Sequence, residues 1–117
     1  MDLITQSQRE LLLANGRAQR AARDSNTNSL DLTPVVKLFT PDAECTWLLT
    51  EIDPDGLAFG LCDLGFGDPE LGYVHLQELQ AARGKLGLPI ERDLDFQADR
   101  PLSAYTDEAQ SQGRIVT

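Results

Sequence analysis

Residues 62–75 read CDLGFGDPELGYVH and gather three carboxylates, three glycines, Cys62 and the chain's only histidine, His75. Such a mixture invites tests for phosphate, metal and acid–base chemistry. Gly65-x-Gly67 lacks the third glycine of a dinucleotide fingerprint, because Glu70 stands in its place. GDPELG has the GxxxxG spacing of a phosphate loop, but Tyr73-Val74 replace the required Lys-Ser/Thr and the local acids repel phosphate. A calcium loop fails as well, since Asp53, Asp55 and Gly56 bring the glycine too early and no bidentate Glu follows. One histidine excludes HExxH and the two-His-one-carboxylate triad.

Three constellations remain. Cys45, Cys62 and His75 have the composition of a catalytic zinc site, without the spacing of a motif. Glu51, Asp63, Glu70 and His75 fall near the ends of apolar strands, where two suitably separated acids can serve as acid and base. Asp53, nearby, has a turn to explain it. Nucleophilic catalysis would rest on His75 alone, and no GxSxG is present. Arg9, Arg17, Arg20 and Arg23 form a basic stripe on a helix, the one candidate surface for nucleic acid. The bland readings compete with each of these: buried thiols, solvated acids and a solvated arginine face. No cofactor is expected.

The elements that must position these groups follow from periodicity. Residues 1–23 read as a helix, with Ser7 and Glu10 spaced as a capping box and Thr5 and Gln8 as the alternative. Leu11, Ala14, Ala18 and Ala22 share one helical face, opposite the arginines, and Asn15-Gly16 marks a possible break. Residues 24–34 are a polar linker. Residues 35–97 form a sheet region: VVKLFT (35–40), CTWLLTEI (45–52), LAFGLCDL (57–64), YVH, and the alternating IERDLDF (90–96).

Asp53-Pro54-Asp55-Gly56 is turn chemistry position by position, so the second and third strands form a hairpin. Closure at Asp53 or Ile52 against Leu57 leaves Trp47 or Leu48 opposite Cys62, and only the first register puts Cys45 and Cys62 on one face. CDLGFGDPELG then reads as a glycine-shaped corner between neighbouring strands. A short helix over 77–83 and a last helix over 101–112, opened by Pro101 with Leu102, Tyr105 and Ala109 as its stripe, complete the set. The expected fold is a single α+β domain with a mainly antiparallel sheet of four to five strands.

Composition narrows function. The 117 residues carry a formal charge of −9. Residues 1–30 hold four arginines and three acids, which leaves six bases and sixteen acids to the remainder. That field opposes phosphate, so direct nucleic-acid binding is disfavoured. No apolar run approaches the roughly 20 residues of a membrane span. MDLITQSQRE has an acid where a signal peptide needs a base, which makes the cytoplasm the expected compartment.

The segments TPVVKLFTPDAECTWLLTEIDPDG, LAFGLCDLGFGDPELGYVHLQEL and GKLGLPIERDLDF, with LLLANGR before them and PLSAY and GRI after, carry a likeness over residues 1–117. The chain resembles a bacterial family of short proteins classed as a domain of unknown function, with a KLFTP–TWLLTE–FGLCDLG–PELG–GLPIERD signature. The resemblance implies an accessory protein of plasmids, prophages and conjugative elements, and no mechanism. Together these readings favour a non-enzymatic protein-binding module, in its sharpest version an acidic nucleic-acid decoy. The alternative is a small metal-dependent hydrolase or nuclease-like enzyme using strand-end carboxylates.

Overall fold

Thr5 starts the first helix, α1 (Gln6–Asp24), by accepting from the Gln8 amide at 3.0 Å while the Gln8 side chain accepts from the Thr5 amide at 2.9 Å. The Thr5/Gln8 box therefore sets the start, rather than Ser7/Glu10. The computed structural model, which describes residues 2–117, continues with strands β1 (Val36–Phe39), β2 (Thr46–Ile52), β3 (Leu57–Asp63) and β4 (Glu70–His75). Helix α2 (Leu76–Ala81), strand β5 (Glu91–Arg92) and helix α3 (Leu102–Gln112) follow. No helix among the described residues is long and apolar enough to cross a membrane.

The five strands pair antiparallel in the order β4-β3-β2-β1-β5, which makes the fold α+β. Each face of the sheet carries its own core. Leu12 of α1 and Leu76 and Leu79 of α2 pack with Val36, Leu38, Trp47, Leu49 and Ile52 on one side. Leu102, Tyr105 and Ala109 of α3 pack with Leu48 and Leu61 on the other. Strands buried on both faces read as continuous apolar runs, and TWLLTEI does so.

The β2–β3 hairpin contains both anticipated registers. Asp53 closes it, donating to the Leu57 carbonyl at 3.0 Å, and its side chain accepts from the Asp55 and Leu57 amides at 2.9 Å. Trp47 nonetheless lies opposite Cys62, because the register shifts between Leu49 and Glu51. Thr50 is the extra residue of a β-bulge. Cys45 and Cys62 consequently pack against the same core, as free thiols.

Asn15-Gly16 does not break α1; it docks the helix on that bulge. The Asn15 amide donates to the Thr50 carbonyl at 2.8 Å, and a Cβ on Gly16 would stand 2.3 Å from the Ile52 carbonyl oxygen. The close approach rotates the buried side of α1 to Leu12 and Gly16, leaving Leu11 52% exposed and Ala18 exposed. The anticipated Leu11/Ala14/Ala18/Ala22 face was displaced because a backbone contact, not an apolar stripe, fixes the helix.

Two further elements differ from expectation in their bounds. Helix α2 spans 76–81 rather than 77–83, since Arg83 already bridges to Pro89 and the Gly84 amide donates to the Leu88 carbonyl. The strand expected over 90–96 keeps only Glu91 and Arg92: Asp93 turns the chain by accepting from the Asp95 amide at 2.9 Å. Ile90 then joins the α1-side core and Phe96 the α3-side core, so the segment crosses the sheet edge instead of alternating along it.

The 24–34 linker is held along its length. Gln19 grips Leu30 through both its amide and carbonyl, and the Leu32 carbonyl accepts from Leu102 at 2.8 Å. Asp31 accepts from the Ser103 amide at 3.0 Å and from the Ser103 hydroxyl, capping α3 where Pro101 offers no side-chain cap.

Gly16→Ala should destabilise the fold by about 1–3 kcal/mol in urea unfolding, because overpacking against the Ile52 backbone outweighs the roughly 1 kcal/mol that alanine gains in helix propensity. A neutral or stabilising result would contradict the close approach as the docking constraint.

Candidate functional site

The anticipated catalytic residues occupy separate places. Asp63 is buried and has both oxygens engaged, Oδ1 by the Gly65 amide and Oδ2 by the Ile115 amide, each at 2.9 Å. It ties the corner after β3 to the chain beyond α3. Glu51 pairs with Phe59 and Asp63 with Thr46, so the two acids stand four residues apart along the hairpin, about 13 Å. Glu70 is exposed opposite Cys62, and His75 is exposed opposite Leu57 at the far end of β4. The structure does not bring the four together.

Nor do Cys45, Cys62 and His75 meet. Five residues of β3 separate the positions opposite Glu70 and His75, roughly 16 Å. The Cys45 thiol points to the Leu64 carbonyl at 3.6 Å, and burial pushes the Cys62 thiol above its ordinary pKa. Among the described residues no three His, Cys, Asp or Glu side chains gather where they could hold a metal ion. The arginine stripe is divided: Arg9 and Arg20 are half-buried while Arg17 and Arg23 are exposed, and Arg20 and Arg23 exert their charge on Glu51.

The corner itself is glycine-shaped. Gly65 and Gly67 take φ of 84° and 82°, Pro69 is buried, and Phe66 between the glycines is 87% exposed.

A different feature emerges beside it. Strand β4 ends the sheet, so one side of its backbone faces outward. The Leu76 amide donates to the Gly56 carbonyl at 3.0 Å, which continues the β3–β4 ladder and assigns Glu70, Gly72 and Val74 to the inward hydrogen bonds. The N–H and C=O groups of Leu71 and Tyr73 and the N–H of His75 therefore point away from β3 with no partner from elsewhere in the described residues, while the His75 carbonyl, at the N-cap of α2, starts that helix.

The side chains of Leu71 and Tyr73 are also open, at 48% and 63% exposure. Tyr73 continues a cross-strand row from Glu51 through Phe59, with the two aromatic rings 5.0 Å apart and tilted by 56°. Behind the row lies a groove of about 350 Å³ lined by Gln19, Arg23, Leu30, Glu51, Phe59 and Tyr73 among others. Burial raises the Glu51 carboxyl above its ordinary pKa, against the opposing influence of a 3.4 Å hydrogen bond from Gln19 and the charges of Arg23 and Arg20.

Nothing in ELGYVH marks it as an edge, because edge position depends on which strands pair elsewhere. Gly72 inside the strand is the one local hint, since interior glycine often signals close backbone approach. Leu71 and Tyr73 were accordingly absent from the residues singled out by chemistry.

A family model described as Protein of unknown function (DUF2958) matches residues 3–116. No curated protein and no solved structure matches the chain.

The raised Glu51 carboxyl means that the native state holds its proton more tightly than the unfolded chain does. Its contribution to stability is full below the unfolded carboxylate pKa of about 4.3 and is lost as pH rises through the higher folded value. Glu51→Gln should therefore gain stability relative to the parent as pH increases from about 4 towards 7, read from urea melts across that range. A parallel pH dependence in the two proteins would show that Glu51 is not desolvated.

Proposed function

The chain belongs to this family of proteins of unknown function, so its role is read from its own surface, and we propose that it is a non-enzymatic interaction module that takes an extended segment of another protein as a sixth strand beside β4. The observation carrying this reading is the unpaired outward backbone of Leu71 and Tyr73, with the His75 N–H beyond them, at the end of the sheet. Edge strands are normally blunted by lysine, proline, a bulge or a covering element. Between Glu70 and His75 there is no charge and no proline, and six residues of strand are available to a partner. Strand addition draws affinity from main-chain hydrogen bonds and specificity from alternate side-chain positions. Leu71 and Tyr73 supply apolar contacts on one face.

The setting implied by the resemblance, an accessory protein of bacterial mobile DNA acting in the cytoplasm, belongs to this proposal. The decoy version draws less support, because many acids serve the fold. Asp31 caps α3, Asp42 accepts from the Leu86 and Leu88 amides, Asp53 shapes the hairpin and Asp63 holds the corner. For the hydrolase alternative, Glu51 is the half-buried acid of the groove; the second carboxylate lining it, Asp31, is engaged by the Ser103 amide and hydroxyl, and the groups acting on Glu51 are Gln19, Arg23 and Arg20.

Peptide-display selection on the whole protein, followed by amide hydrogen exchange, tests the reading. Selected peptides should protect the Leu71 and Tyr73 amides and lose at least about tenfold in affinity on Leu71→Pro, which deletes one outward donor. Leu71→Ala, which keeps that donor, should retain most of the binding. Peptides that bind without protecting these amides would place the interface elsewhere.

A further inference from the structure

We infer that the segment taken up beside β4 is basic, with apolar residues at alternate positions and a lysine or arginine opposite Gly72; this rests on the reading of β4 as a docking edge. In a strand added there, every second side chain would stand beside Leu71 and Tyr73 on the α3 side of the sheet, about 4.8 Å away. Both are exposed and apolar in their bodies, so that row selects apolar partners. The residue between them would face Gly72 on the opposite side.

Gly72 leaves that place empty: nothing lies within 4 Å of where its Cβ would be. A long side chain can lie across the vacant glycine, as aromatic and aliphatic groups do over glycine in natural sheets. Glu70, exposed on the same side two residues away, comes within the diagonal reach of such a side chain, about 7–8 Å between backbones. A lysine or arginine stem would cover the glycine and bring its charge to the Glu70 carboxylate.

The acids at both ends of β4 agree in sign with this, and Arg23 is the cation of the groove on the Leu71/Tyr73 face. Asp68 and Glu70 are exposed at the start of β4. Asp55, in the turn whose Gly56 carbonyl holds Leu76, and Glu78 of α2 are exposed at its other end. Residues 64–82 contain no lysine or arginine. The Glu70/Gly72 face and the two ends of β4 thus lie in a negative field that favours basic segments and repels acidic ones. A second copy of this chain, itself at −9, is the less suited occupant.

Three fluorescent peptides of one length, alternating valine with arginine, glutamine or glutamate, test the inference by anisotropy with the full chain. The arginine peptide should bind about tenfold more tightly than the glutamine peptide at roughly 0.05 M salt. The preference should shrink to about threefold or less near 0.5 M salt, and similarly in Glu70→Gln. Equal binding of the arginine and glutamine peptides, both lost in Leu71→Pro, would overturn the basic preference while leaving the docking edge in place. Arginine-peptide binding that survives Leu71→Pro would overturn the edge itself, and no binding by any peptide would remove both.

Discussion

The docking of Asn15-Gly16 on the β2 bulge is the constraint on which the rest of the structure depends. Asn15 satisfies the Thr50 carbonyl, and Gly16 lets the helix backbone reach the Ile52 carbonyl. A bulge adds one residue and thereby reverses the alternation of everything after it. Leu49 and Ile52 both face α1 for that reason, although three positions separate them. Glu51, which regular alternation would turn towards α1 with Trp47 and Leu49, instead joins Phe59 and Tyr73 on the α3 side. The placing of Glu51 beside the Phe59–Tyr73 pair, and with it the groove and the raised carboxyl, follows from one inserted residue and the helix that holds it.

Carboxylates do a second kind of structural work. Asp31, Asp42, Asp53, Asp63 and Asp93 each accept backbone amides in a cap, turn or corner. Such bonds join segments far apart in sequence, Asp31 to α3 and Asp63 to the residues after α3. An ionised carboxylate accepts amides more strongly than a neutral oxygen does, which makes aspartate apt for a small fold with several irregular connections. Much of the acidic excess is therefore architecture. The exposed remainder at the ends of β4, in a stretch (64–82) without lysine or arginine, gives the Glu70/Gly72 face of that edge its negative field.

Legibility varied with the range of the interaction concerned. DPDG acts within a few residues, and the hairpin appears where its chemistry points; Ser7/Glu10 and Thr5/Gln8 share one spacing, and the helix starts at the second, the alternative reading. The hairpin posed two registers, and the protein uses one on each side of Thr50, an outcome that local turn chemistry has no means to encode. The face of α1 was misread because Leu11, Leu12 and Leu13 offer several apolar stripes, and a backbone-to-backbone approach at Gly16 selects among them. IERDLDF alternates convincingly, yet its residues reach two different cores because the chain folds over the sheet edge at Asp93.

The candidate site shows the same division. By itself the sequence determined which chemistries lack their motifs, that CDLGFGDPELG is a glycine-shaped corner, and that helices and antiparallel strands combine in an α+β fold. These follow from residue type and short spacing. Tertiary structure alone decided that Glu51, Asp63, Glu70 and His75 stand apart, and that Leu71 and Tyr73 lie on an open edge. The physical reason is that edge position is a property of the pairing order: ELGYVH would read identically in the middle of a sheet, and only the absence of a strand beyond it leaves its backbone unpaired.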